Sequence, residues 1–136
     1  WYFSNTGEAG ANHPQRLAPG IYGLSNARLD TPWPKVELGR ERLSALLRQT
    51  HLDHEALADT VSDRRRADSR ALARLDMHSP MDQLLSAQFI ITERYGTRST
   101  TTVWIDRRGG VDWRESSFDS SGERSGVQEA RFNLVR

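Results

Sequence analysis

The chain of 136 residues has no cysteine, a single lysine (Lys35) and no long apolar run. Without cysteine, these residues cannot form a disulfide, hold a metal through thiolates or supply a thiol nucleophile. No segment approaches the roughly 18–20 consecutive apolar residues of a membrane-spanning helix, and no secretory leader is recognisable. We therefore expect a cytoplasmic protein without a membrane span.

An excess of one charge is also missing. The 19 basic and 18 acidic residues are interspersed and give a net charge of +1, so the sequence favours neither a nucleic-acid-binding protein nor one held on anionic membranes. The one basic run, Arg64-Arg65-Arg66, is followed by Asp68 and is interpreted as a solvated loop. A mean hydropathy of −0.70 is low for a compact domain, and this length fits one small domain or part of a larger one.

Hydrophobic spacing and turn residues predict a mixed set of elements. Short strands are expected at 1–3 and 20–24, helices over about 38–49 and after the cap Asp53, and a loop with helical turns over 64–78. A capped helix should start at Ser79. Strands should follow over 99–106 and 111–118, joined by a hairpin turn at 107–110. The final segment should be a half-buried strand, because Ala130, Phe132 and Leu134 alternate with polar residues. This order predicts an α+β fold with a largely antiparallel sheet covered by helices.

Residues 20–35 contain the first candidate site, because a short apolar strand ends there in Ser25 and Asn26. A side-chain amide at the end of a strand can donate to an oxyanion. Alternatively, Asn26 stabilises its own turn through a side chain–backbone hydrogen bond. In the corner that follows, two prolines hold Trp33, which is interpreted as a core residue, and Lys35 is interpreted as a solvated residue at a helix start.

Residues 95–102 contain the second candidate, Arg98, which is surrounded by small hydroxyl residues and a glycine. A guanidinium offers a planar fork suited to a carboxylate or phosphate. The alternative is a structural ion pair with Asp30 or Glu93.

Two histidines, His51 and His54, are spaced closely enough to share a metal. No further ligands of a known zinc motif accompany them, so surface histidines are the favoured interpretation, and no metal site is predicted.

Two motifs, at 22–36 (Tyr-Gly-Leu-Ser-Asn-Ala-Arg-Leu-Asp-Thr-Pro-Trp-Pro-Lys-Val) and at 95–101 (Tyr-Gly-Thr-Arg-Ser-Thr-Thr), resemble the NRDE family, the relatives of the transport and Golgi organisation 2 protein. The similarity runs from Trp1 to about Phe118. It implies that residues 1–136 are the carboxy-terminal portion of a single domain, because the family's cysteine and Asn-Arg-Asp-Glu tetrad are not among them. That family in turn resembles amino-terminal-nucleophile hydrolases, whose fold is a four-layer αββα sandwich.

The resemblance implies a hydrolase of amide or thioester bonds that uses a cysteine outside this chain. Asn26 would then be an oxyanion donor and Arg98 a second catalytic residue. The substrate would be bound by Ser25, Trp33, Tyr95 and Thr97.

The alternative that the resemblance implies is a non-catalytic carrier of haem or of a lipid or acyl ligand. No cofactor is implied, and haem would be a ligand. Either way, the expected partners are a small molecule and the amino-terminal half of the same domain. Without that half, these residues are expected to self-associate, because one sheet face would lie uncovered.

Overall fold

The structure, a computed structural model, describes residues 1–4 and 13–135. Within these ranges, four helices precede a three-stranded sheet: α1 (Pro34–Leu46), α2 (His54–Asp59), α3 (Ser69–Ala73), α4 (Pro80–Leu85), β1 (Ser99–Ile105), β2 (Gly110–Phe118) and β3 (Arg124–Asn133). The strands lie in the order β1-β2-β3, and both pairs are antiparallel. The predicted combination of helices with an antiparallel sheet is confirmed.

The helix starts follow from their capping residues. The Asp53 side chain accepts a hydrogen bond of 2.8 Å from the Ala56 amide and begins α2. A reciprocal capping box between Ser79 and Asp82 begins α4, as the sequence predicts. Helix α1 begins at Pro34, earlier than expected, because proline is well suited to the first helical position.

The turn between β1 and β2 is closed by Asp106, whose carboxylate accepts hydrogen bonds from the Arg108 and Gly110 amides at 2.7 and 2.8 Å. Gly109 adopts a φ of 88° there. The predicted hairpin is therefore confirmed, and its glycine meets a conformational need.

Helix α2 and the connection that carries Phe89 pack on the sheet, and α1 packs against α2. α2 contacts β1, and the Phe89 ring meets the Phe118 ring edge-on at 4.8 Å. The small apolar core consists of Val36, Leu46, Leu72, Ala87, Phe89 and Val111. No helix in the described part of the chain is long and apolar enough to cross a bilayer.

Two predicted strands are wrong. Residues 1–3 form only an isolated bridge, between Tyr2 and Gln15, and Trp1 is 83% exposed. Residues 20–24 belong to no strand. A strand needs a continuous row of hydrogen bonds to a neighbour. Among the described residues, Gln15 bonds only to Tyr2 of the first segment, and no strand pairs with residues 20–24.

The sheet has a helix-facing side and an open face, which alternate along each strand. The helix-facing side carries Thr100, Thr102, Trp104, Asp112, Arg114 and Ser116 from β1 and β2. The open face carries polar residues, Thr101, Glu115 and Gln128, and next to the β1–β2 turn a set of apolar ones: Val103, Ile105, Val111, Trp113, Ala130 and Phe132.

The open face lacks a cover among the described residues. Val103, Ile105 and Phe132 are 51%, 58% and 52% exposed. Every position of β3 is exposed, so the prediction of a half-buried final strand is wrong for this chain. Its alternating apolar residues exist as predicted, but no described element packs on them.

Candidate functional site

Residues 23–30 form a closed loop, here called the Asp30 loop. The Gly23 amide donates to the Asp30 carboxylate at 2.7 Å, and the Asp30 amide donates to the Gly23 carbonyl at the same distance. A Cβ on Gly23 would lie 2.5 Å from Val36 of α1. Glycine is therefore required for the loop to approach the helix this closely.

Asn26 lies in this loop with an exposed side chain that makes no hydrogen bond within the described ranges. The turn is closed by Asp30 and not by the Asn26 amide, as the alternative interpretation would require.

Arg98 is likewise exposed, and it forms no ion pair with Asp30, Glu93 or any other described residue. No hydrogen bond joins Asn26 to Arg98, and neither side chain lines the cavities described below. Both side chains are without a partner among the described residues, and none of those cavities joins them.

A cavity of about 370 Å³, here called the loop cavity, lies between the Asp30 loop, α1 and the residues after α2. Its walls combine apolar side chains, Ser25 and two cationic side chains, Lys35 and Arg40. The apolar ones include Leu24, Val36, Leu43 and Val61. This volume lies at the small end of the range typical of small-molecule sites, about 300–1,000 Å³.

Arg40 has unused hydrogen-bonding capacity at this cavity. Its Nε is buried without a hydrogen-bond acceptor in the described part of the protein. The Asp30 carboxylate lies 3.5 Å from Nε, close enough for an ion pair but too far for a good hydrogen bond. The two terminal nitrogens of the guanidinium form no hydrogen bond within the described ranges, and the side chain is 41% exposed. These nitrogens can therefore donate to a further anionic partner.

Lys35 is half-buried, so the prediction of a solvated lysine is wrong. Its Nζ donates to the Leu85 carbonyl at 2.9 Å and lies 5.3 Å from the centre of the Trp33 ring. Burial disfavours the ammonium and lowers the pKa of Lys35. Trp33 is itself half-buried and contacts this cation, whereas the sequence predicts a core residue.

The other predicted substrate-binding residues, Tyr95 and Thr97, lie in the turn before β1. Tyr95 is exposed, and the Thr97 hydroxyl accepts a hydrogen bond from the Ile90 amide at 2.9 Å. Of the four residues predicted to bind substrate, Ser25 lines the loop cavity. Trp33 contacts Lys35, which also lines it.

His54 forms a buried cluster that the sequence analysis missed. Its Nε2 lies 2.9 Å from the Asp112 carboxylate, and its Nδ1 lies 2.7 Å from the Thr102 hydroxyl. The imidazole stacks on Trp104 with ring centres 4.2 Å apart. His54 is 8% exposed, so the prediction of a surface histidine is wrong. His51 is exposed and lies beside Asp53.

The Asp112 carboxylate receives hydrogen bonds from His54 and from Arg131, the latter at 3.0 Å. The first of these is the main cause that lowers the pKa of Asp112. A carboxylate at Nε2 favours a proton on that nitrogen, so Nδ1 of a neutral ring accepts from Thr102. This cluster joins α2 to β1 and β2. The sequence gives one sign of this cluster: Thr102 and Trp104 are two residues apart in a predicted strand, so their side chains lie on the same side of it.

A second buried charge, Asp63, lies in the loop after α2. Its carboxylate accepts from Arg42 and Arg65 at 2.6 Å each, and mainly the bonds from Arg65 hold its pKa far below the ordinary range. Arg64 donates to the Gly122 carbonyl at 2.9 Å and lies over the Phe89 ring. The run of three arginines is in a loop, as predicted, but two of the three make structural contacts.

Metal ligands are not grouped in the described ranges, where no three His, Asp or Glu side chains lie close enough to hold an ion.

The family model described as "Transport and Golgi organisation 2" matches residues 1–120. The chain belongs to this family. The resemblance predicted from the two motifs is thereby confirmed.

Relatives from three mammals support this assignment. Two are named "Transport and Golgi organization protein 2 homolog": the Bos taurus protein is 33% identical over 125 residues, which is 86% of this chain and 44% of that protein, and the Homo sapiens protein is 32% identical with the same coverage. The Mus musculus "Transport and Golgi organization 2 homolog" is 30% identical over 142 residues, 98% of this chain and 50% of that protein. The chain spans about half the length of the curated relatives it matches.

Proposed function

We propose that residues 1–136 are the carboxy-terminal part of one domain, and that the open face packs against a second sheet in a four-layer αββα sandwich. Two observations support this arrangement. Next to the β1–β2 turn the open face exposes Val103, Ile105 and Phe132, although α2 already packs on the other side of the sheet. The chain also covers 44–50% of the length of its curated relatives.

The function that the geometry supports best is the binding of a small amphipathic ligand, without catalysis, in the loop cavity. The observation that carries this proposal is the composition of the cavity wall. Apolar side chains line most of it, and Arg40 and Lys35 provide two incompletely paired cations. Such a wall suits a molecule with an apolar body and a carboxylate, as in haem or an acyl ligand.

Arg40→Gln in the full-length protein tests this function. Titration with a long-chain fatty acid and with haem, followed by calorimetry and the Soret band, should give saturable binding of at least one of them. Arg40→Gln should weaken that binding about tenfold, the equivalent of roughly 1.4 kcal/mol.

The control is Arg48→Gln, because Arg48 lies in the turn just after α1 and its exposed side chain bonds only to the Ser44 hydroxyl. Equal affinity of the two variants, or no saturable binding of either ligand, would contradict the proposal.

The second candidate is hydrolysis of an amide or thioester bond by a cysteine outside this chain. It is supported by the Asn26 amide, which is not used in its own turn and is free to donate to an oxyanion. Asn26→Ala should then lower turnover of an acyl-amide substrate by about 10²–10³. Thermal stability should hardly change, because no described residue loses a hydrogen bond. An unchanged rate would remove this candidate.

A cytoplasmic location belongs to the same proposal and rests on the sequence. Fluorescent tagging of the full-length protein tests it, and a signal confined to an organelle lumen would contradict it.

A further inference from the structure

A second cavity, of about 220 Å³, lies beside the start of α1 and is here called the Arg66 cavity. Lys35, Asp63, Arg65, Arg66, Ser86 and Gln88 contribute to its wall. Lys35 and Gln88 also line the loop cavity, so Lys35 stands between the two spaces.

The charges around the Arg66 cavity do not cancel. Asp63 is the one acidic residue of its lining, and Arg42 and Arg65 both contact that carboxylate at 2.6 Å. Arg66 makes no ion pair or hydrogen bond within the described ranges. The Lys35 ammonium has three donors but uses one hydrogen bond, to the Leu85 carbonyl.

The neutral polar groups of the wall are already engaged. The Ser86 hydroxyl accepts from the Ala67 amide and donates to the Gln83 carbonyl. The Gln88 amide group donates to the carbonyls of Lys35 and Thr60. These side chains therefore shape the cavity. Lys35 and Arg66, which have no anionic partner among the described residues, are the groups available to bind a ligand.

We propose that the Arg66 cavity binds a phosphate group between the Lys35 ammonium and the Arg66 guanidinium. A phosphate carries more than one negative charge and several acceptor oxygens, so it can engage two separate cations at once. The two cavities share Lys35, but Arg40 lines only the loop cavity and Arg66 only this one. Arg40→Gln and Arg66→Gln therefore test the two proposals independently.

Titration of the full-length protein with inorganic phosphate at constant ionic strength tests the site. Calorimetry should show saturable binding of one phosphate, and Arg66→Gln should weaken it at least tenfold. Arg66 is exposed and unpaired, so this variant should keep the native melting temperature. Lys35→Gln should weaken binding as well.

The matched control is Arg94→Gln, because Arg94 is also exposed and without a partner among the described residues. It removes the same charge and should leave phosphate affinity unchanged. Equal affinity of the Arg66 and Arg94 variants, or no saturable binding at all, would overturn the proposal.

A direct readout comes from the Lys35 side chain, observed by NMR and assigned through Lys35→Gln. Bound phosphate should raise the pKa of Lys35, because a nearby anion favours the ammonium. If phosphate leaves the pKa of Lys35 unchanged, the proposed contact between Lys35 and phosphate is refuted. Competition by ethyl phosphate would show that the site accepts a phosphomonoester, and its failure would restrict the ligand to the free ion.

Discussion

The helix-facing side of the sheet meets α2 mainly through polar groups, whereas the open face is apolar next to the β1–β2 turn. On the first side, hydroxyl, carboxylate and guanidinium groups reach toward α2, and His54 joins Thr102 to Asp112. On the second, Val103, Ile105 and Phe132 lie in contact with solvent in this chain.

Antiparallel sheets with one covered face normally turn their apolar side to the cover. The reversal here teaches that directed hydrogen bonds, together with the Phe89–Phe118 ring contact, hold the helical layer in place. The apolar side chains are left for another layer.

His54→Ala should have the largest effect on the helix-facing side. It removes hydrogen bonds at both ring nitrogens and the stacking contact with Trp104, and it leaves Asp112 and Thr102 without that partner. We expect a loss of about 3 kcal/mol in the free energy of unfolding, measured with urea. His51→Ala, at an exposed position, should change it by less than about 0.5 kcal/mol. Similar losses would show that the polar cluster does not hold the helical layer.

Acid should weaken the same side through Asp112. Its pKa in the folded protein is lowered from the ordinary value of 3.8, first by the His54 hydrogen bond. The ionised carboxylate therefore stabilises the fold above about pH 3.8, and this stabilisation is lost as the pH falls through the lowered value.

Asp112→Asn tests this effect, because it preserves a hydrogen-bond acceptor but cannot ionise. Its urea midpoint should lie below that of the wild type at pH 6, and the gap should narrow toward pH 2. Glu41→Gln, at an exposed position, controls for the loss of a carboxylate. A gap that is constant with pH would argue against the role of Asp112.

Arg131→Gln should have the smallest effect, although Arg131 also contacts Asp112. Its side chain is 81% exposed, and ion pairs with exposed partners contribute only about 0–1 kcal/mol. A change in melting temperature close to that of Arg107→Gln is expected. A loss of stability as large as that of His54→Ala would show that the exposed Arg131, and not the buried His54 ring, accounts for the stability that the cluster provides.

Local chemistry made several features predictable from the sequence. The Ser79–Asp82 capping box, the Asp53 cap and the hairpin at Gly109 depend on residues close in the chain, and all three are observed. The two long motifs also identified the family, over residues that the family model matches.

Features that depend on distant partners were not predictable. His54 is buried because β1 and β2 provide a hydroxyl and a carboxylate on the same side of the sheet, 48 and 58 residues away in the sequence. Residues 20–24 have strand-like composition without a neighbour among the described residues. Lys35 shows the same limit, since only the fold brings the Leu85 carbonyl to its ammonium.

The most direct test of whether a second sheet covers the open face compares the reactivity of two cysteines placed on β3. Phe132→Cys lies on the open face and Val127→Cys on the helix-facing side, and the native residues are 52% and 43% exposed in this chain. In the folded full-length protein, a maleimide should label the Phe132→Cys variant at least 100-fold more slowly than the Val127→Cys variant. In urea, the two variants should be labelled at the same rate. Equal rates in the folded protein would contradict a second sheet on the open face.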